Sequence, residues 1–82
     1  MQNKSPYLQQ LLQELQVAEI HAARGKVIVE QQRKRADRLR RTSGPATPAT
    51  RDADMLLRVV EDTQNLFESH VDLMKREVAS EL

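Results

Sequence analysis

In residues 8–39, LQQLLQELQVAEIHAARGKVIVEQQRKRADRL, apolar or small side chains recur at alternating steps of three and four residues. This spacing is typical of one face of a long α-helix, because residues three and four apart lie on the same side of the helix. Gln32 breaks the row with a polar side chain. The buried row of this first helix is predicted to be Leu8, Leu11, Leu15, Ala18, Ala22, Gly25, Val29, Ala36 and Leu39.

Capping and breaking residues set the predicted ends of the helices. Ser5-Pro6 is a start signal, because the serine hydroxyl can cap the first turn and proline there loses no hydrogen bond. Gly44, followed by proline, is a stop signal. The predicted organisation is a single domain with a frayed segment at 1–5, a helix at 6–41, a Gly/Pro linker at 42–51 and a helix at 52–80.

The second helix is predicted to bury a broader stripe than the first. A stripe of that width suits contact with more than one neighbouring helix. We therefore predict an all-α fold, an antiparallel and coiled-coil-like two-helix hairpin folded near Ala46, which dimerises into a four-helix bundle. The predicted stripe consists of Leu56, Val59, Val60, Thr63, Leu66, Phe67, His70, Leu73 and Met74.

Two residues of the first helix interrupt the pattern of the core. Glycine within a helix costs about 1 kcal/mol relative to alanine, so we expect Gly25 to serve close packing rather than to lack a role. Gln32 in the core row either fixes the alignment of the helices or marks a tolerated local opening.

Composition excludes several classes of protein. The 82 residues contain no cysteine, which removes disulfides, thiolate metal sites and a cysteine nucleophile. The longest apolar runs, such as Val27-Ile28-Val29, are far shorter than the roughly 20 residues of a membrane span, and no leader pattern opens the chain. We expect a cytoplasmic protein without a cofactor. Residues 1–43 carry about +5 and residues 44–82 about −4, which favours antiparallel pairing.

No pattern in the sequence indicates an enzyme. Neighbouring carboxylates such as Glu61 and Asp62 point about 100° apart on a helix and cannot flank one substrate atom. The serines lack an associated histidine and acid, and there is no glycine-rich phosphate loop. We therefore expect no catalytic residues.

A basic cluster ends the first helix and supports two interpretations. Its cations could bind the phosphates of a nucleic acid through sequence-independent electrostatics, or an acidic lipid or protein partner. Alternatively, they form a solvated helix end that is partly ion-paired, with Glu61 and Asp62 opposite Arg33 and Lys34, and Asp52 and Asp54 near Arg40 and Arg41. No aromatic residue for base stacking is interleaved. The cluster consists of Arg33, Lys34, Arg35, Arg38, Arg40 and Arg41.

Two histidines are expected at one level of the hairpin. His21 and His70 would meet there with Glu19 and Asp72 nearby, which are residue types that bind metals. Neither histidine belongs to the Glu-x-x-His pair of di-iron bundles. We expect ordinary boundary histidines, with a pH-sensing pair and a metal site as alternatives.

Residues 18–31, AEIHAARGKVIVEQ, and residues 56–73, LLRVVEDTQNLFESHVDL, resemble the short uncharacterised helical-hairpin proteins of rhizobia and related alphaproteobacteria. Those proteins also carry a histidine in the first helix and a Glu-rich second helix with Gln and His near its middle. They tend to have a short Gly-containing turn, from which the predicted linker departs. The resemblance implies a bacterial, cytoplasmic protein and supplies no catalytic residue.

The function predicted from these observations is protein–protein interaction, as self-association or scaffolding through coiled-coil faces. The alternative is a nucleic-acid-binding accessory protein that uses residues 33–41. A third interpretation makes the chain a fragment of a longer coiled coil, against which the start signal at Ser5-Pro6 argues.

Overall fold

The computed structural model describes residues 5–82 and places them in two long helices, α1 (Pro6–Ser43) and α2 (Pro48–Glu81). The helices pack antiparallel into a rod whose Cα atoms extend over 65 × 14 × 13 Å. The predicted all-α helical hairpin is confirmed. The predicted fraying of Met1 to Lys4 lies outside the described residues.

Both helices begin with the same capping arrangement. The Ser5 hydroxyl accepts a hydrogen bond from the backbone N–H of Leu8 at 3.0 Å, and Pro6 is the first helical residue. At α2, the Thr47 hydroxyl accepts from the N–H of Thr50 at 3.3 Å, and Pro48 is the first helical residue. The Thr-Pro pair is therefore a second start signal.

The connection between the helices is shorter than the predicted linker at 42–51. α1 continues to Ser43 and α2 starts at Pro48, which leaves a turn of only residues 44–47. The prediction placed Pro48 within the linker, but proline in the first turn of a helix removes no intrahelical hydrogen bond. The helices therefore extend further toward each other than expected.

Buried hydrogen bonds hold the turn closed. Gly44 has a φ of +92°, a conformation that favours glycine, and its N–H donates to the Arg40 carbonyl at 3.2 Å. Thr50 is completely buried; its hydroxyl donates to the Gly44 carbonyl at 2.7 Å and accepts from the Thr47 hydroxyl at 3.0 Å. These bonds join Gly44 and Thr47 of the turn to Thr50 of α2.

The core-facing row of α1 agrees with the prediction. Leu8, Leu11, Gly25 and Ala36 are buried. The other predicted members are half-buried, namely Leu15, Ala18, Ala22, Val29 and Leu39. The spacing in the sequence therefore identified the side of α1 that faces α2.

The core-facing row of α2 differs from the predicted stripe. Of the predicted residues, Met74 is buried and Val60 half-buried, whereas five others are exposed hydrophobic side chains. The exposed members are Leu56, Val59, Leu66, Phe67 and Leu73. The helix instead faces α1 with Thr50, Ala53, Gln64, Val71, Met74 and Val78.

The rotation of α2 about its axis is accompanied by ion pairs with α1. Asp54, Glu61 and Lys75 occupy one heptad position of α2, and each pairs with a residue of α1. Turning α2 to bury Leu66 would carry these three charges away from their partners. The rotation that is observed keeps the charges paired and leaves the leucines outside.

Gly25 makes room for a polar side chain in the core. The amide nitrogen of Gln64 donates to the Ala22 carbonyl at 2.8 Å and to the Glu68 carboxylate at 2.9 Å. A Cβ atom at Gly25 would lie 1.8 Å from the Gln64 Oε1 atom. The close packing expected at Gly25 is thus confirmed. Gln32 is half-buried, and its Oε1 atom has no hydrogen-bond partner among the described residues.

Candidate functional site

One long side of the hairpin, which we name the charged flank, carries the ion pairs between the helices. Arg40 pairs with Asp54 at 2.7 Å and Arg33 with Glu61 at 3.2 Å, as the sequence predicted. The third interhelical pair in residues 5–82 joins Lys75 to Glu19 at 3.7 Å. All six side chains are roughly half exposed, so each pair contributes about 0–1 kcal/mol. The charges that form these pairs are therefore neutralised within the chain.

The opposite side, which we name the apolar flank, is formed by side chains from both helices. A groove of about 490 Å³ runs along it, and a smaller hollow of about 110 Å³ lies next to the groove. Phe67 lines both, so the surface is continuous. The apolar flank consists of Val17, His21, Ile28, Val60, Thr63, Phe67 and His70, together with the outer row of α2 described next.

The outer row of α2 extends the apolar flank with large exposed side chains. Leu66 is 71% exposed, Leu73 60% and Val59 59%. The Thr63 hydroxyl donates to the Val59 carbonyl at 2.9 Å, so its polar group is satisfied within the helix. The row consists of Leu56, Val59, Thr63, Leu66, His70 and Leu73, whose spacing of three and four residues is that of a coiled-coil seam.

The predicted stripe of α2 combined residues of this outer row with residues of the core row. Two series can be read in α2, one through Ala53, Leu57 and Gln64 and another through Leu56 and Leu66, each with the same period. Because the two series start at different residues, they lie on different sides of the helix, and this difference could have separated them. A helix with two such rows has one row for the hairpin and another for a further surface.

The two histidines lie together on the apolar flank, as predicted. Both line the large groove, and the His21 ring meets the Phe67 ring edge to face with centroids 6.3 Å apart. The expected neighbours Glu19 and Asp72 line a hollow on the charged flank instead. Within residues 5–82, no group of three or more metal-ligating side chains lies close enough to hold a metal ion.

The basic cluster divides into paired and unpaired cations. Arg33 and Arg40 are ion-paired both within α1 and to α2. The remaining cations of the cluster form no ion pair with any residue that the structure describes. These unpaired members are Lys34, Arg35, Arg38 and Arg41.

The open end of the hairpin, opposite the turn, is acidic. The Tyr7 hydroxyl donates a hydrogen bond to the Glu77 carboxylate. This bond, followed by partial burial and the charges of Glu77, Glu81 and Glu14, raises the pKa of Tyr7 above its ordinary value. The charges of three carboxylates therefore act on one tyrosine at this end.

Fold and surface together define a helical hairpin with one flank matched by internal ion pairs and one flank that is apolar and uncovered. Comparison with protein-family models, curated proteins and solved structures finds no match for this chain. The resemblance to rhizobial hairpin proteins stays a prediction. In residues 5–82, neither helix contains an apolar stretch of the length needed to cross a membrane.

Proposed function

We propose that this protein acts by protein–protein interaction and self-associates through the apolar flank into a dimeric four-helix bundle. The observation that supports the proposal is the outer row of α2, whose leucines are exposed although they have the spacing of a helix-packing seam. Each large apolar side chain left in water forgoes about 1.5–3 kcal/mol of burial. A contiguous apolar patch of this kind marks an interaction site on a protein surface.

The size of the apolar flank also supports the proposal. Its outer row runs from Leu56 to Leu73, about 26 Å along α2 at 1.5 Å per residue, and two helices side by side are about 20 Å wide. The resulting face of about 500 Å² per copy is more than half of the roughly 800 Å² that each partner contributes to a standard protein interface.

The test compares two neighbouring substitutions that each add one charge to an exposed position of α2. Leu66→Glu lies on the apolar flank, whereas Asn65→Glu lies beside the charged flank, where Asn65 lines a polar hollow. Light scattering over a dilution series should give a dimer for the wild type and for Asn65→Glu, and a monomer for Leu66→Glu. A folded wild type that stays monomeric at high concentration would refute the proposal.

Nucleic-acid binding is the second candidate, and the four unpaired cations near the turn favour it. Binding through phosphates must weaken steeply with salt, because each neutralised phosphate releases counterions. Titration of a fluorescent duplex at several salt concentrations should then give a steep slope that becomes shallower in Lys34→Glu/Arg41→Glu. Absence of binding at low salt would exclude this candidate.

A further inference from the structure

The apolar flank contains both histidines of the chain, His21 and His70. Both side chains are exposed in the single hairpin, where water can solvate the neutral or the charged imidazole. The chain has no cysteine, so histidine is its only type of side chain whose ordinary pKa falls between pH 5 and 8. A change of side-chain charge near neutral pH is therefore concentrated on this flank.

His70 cannot stay in water when the apolar flank is covered. It lies four residues after Leu66 and three before Leu73, so it stands between two exposed leucines of the outer row. A helix that covers both leucines must also cover His70, whatever the direction of that helix. His21 belongs to the same patch, because its ring contacts the Phe67 ring edge to face.

The carboxylates beside the groove are hydrogen-bonded to other groups. Among the residues described, Glu14 is the other titratable side chain that lines the groove; it lies about 10 Å along α1 from the histidine and accepts from the Gln10 amide at 3.0 Å. Glu77 lies equally far along α2 from its histidine and accepts from the Tyr7 hydroxyl. A cation, Arg24, lies one turn from the histidine of α1 on the other side. In residues 5–82, neither histidine forms an ion pair.

We infer that self-association through the apolar flank is controlled by pH, because it requires His21 and His70 in their neutral forms. The inference rests on the proposed self-association and holds for either orientation of the second copy. Moving an unpaired imidazolium out of water costs far more than moving a neutral imidazole. A dimer contains two copies of each histidine, so protonation adds up to four like charges to one interface.

The direction of the effect follows from the linkage between protons and association. Because the dimer holds the neutral imidazole, association is strongest above the ordinary histidine pKa of about 6.5 and weakens as pH falls below it. Each imidazole that must release its proton raises the dissociation constant by up to about tenfold at one pH unit below that value. The two copies of His70 alone predict a rise of up to roughly 100-fold between about pH 7.5 and about pH 5.5.

The test is sedimentation equilibrium of the full chain at about pH 7.5 and about pH 5.5, with circular dichroism to distinguish dissociation from unfolding. The dissociation constant of the wild type should rise at least roughly tenfold at the lower pH. The double variant His21→Gln/His70→Gln keeps neutral polar side chains on the flank. It should dimerise at both pH values with dissociation constants within about twofold of each other.

A matched control places one histidine off the apolar flank. Asn65→His, added to the double variant, puts an imidazole on α2 in the polar hollow beside the charged flank and should leave association independent of pH. His21→Gln alone, which keeps His70, should retain a pH dependence. A wild-type dimer equally tight at both pH values, or a pH dependence that persists in the double variant, would overturn the inference while the proposed function stands. A folded wild type that is monomeric at both pH values would refute the proposed function itself.

Discussion

Replacing Gly25 by alanine should change the stability of the hairpin in a direction that depends on Gln64. Alanine in place of glycine stabilises a helix interior by about 1 kcal/mol. The new Cβ atom would lie 1.8 Å from Gln64 Oε1 and 2.9 Å from its Cδ, so the buried amide must leave its place. The substitution therefore gains helix propensity but displaces the buried side chain of Gln64.

The loss is expected to exceed the gain. The Gln64 amide nitrogen makes two hydrogen bonds, to the Ala22 carbonyl and to Glu68, worth about 1 kcal/mol each. Crowding in the core adds about 1 kcal/mol or more. Subtracting the propensity gain, we expect Gly25→Ala to destabilise the protein by about 2 kcal/mol.

Removing the Gln64 side chain should reverse the sign. In Gln64→Ala the next atom near the new Cβ is Phe67 Cδ2 at 3.5 Å, an ordinary contact. Gly25→Ala should then stabilise by about 1 kcal/mol, which gives a coupling of about 3 kcal/mol between the two positions.

Urea unfolding followed by far-ultraviolet circular dichroism measures these differences, at one protein concentration because the proposed association would contribute to stability. Ala23→Gly, at an exposed position of the same helix, calibrates the propensity term and should cost about 1 kcal/mol in both backgrounds. If Gly25→Ala stabilised the wild type as much as it stabilises Gln64→Ala, the close contact between Gly25 and Gln64 would be wrong.

Two further predictions concern the ends of the rod. Because the folded chain raises the pKa of Tyr7 above the unfolded value of about 10, its contribution to stability is present below that pH and is lost as pH rises through the folded pKa. Absorbance titration of this single tyrosine should give a lower pKa in Glu77→Gln, and an unchanged pKa would contradict the hydrogen bond. At the turn, Thr50→Val removes a buried hydroxyl and should destabilise by about 1–3 kcal/mol in urea unfolding. The exposed Thr42→Val should change stability by less than about 0.5 kcal/mol, and equal effects would refute the role of the buried turn bonds.

The sequence predicted α1 well because its buried face is a single row. Steps of three and four residues from Leu8 to Leu39 identify one side of a helix without reference to a partner. The ion pairs Arg33–Glu61 and Arg40–Asp54 also followed from folding the chain near Ala46, since antiparallel helices fix which residues lie opposite.

The sequence was ambiguous for α2 because two rows with the same period overlap. Hydrophobicity favoured the row with Leu66, whereas the structure buries the row with Gln64, which packs against Gly25 of α1. Gln64 fits in the core only because Gly25 of α1 has no side chain there. The sequence of α2 alone therefore could not show that Gln64 is buried. The predicted turn was too long for a simpler reason, because Pro48 was assigned to the linker rather than to the first turn of α2.

In the proposed self-association, the difference between the two flanks limits how many copies can assemble. A rod with apolar surface on both sides would stack without end, since each added copy would present a fresh face. Here the second side is occupied by charges that are neutralised inside the chain, as with Arg33 and Glu61. In the proposed dimer, growth therefore stops once two apolar flanks have met, because the charged flank is already ion-paired within each copy.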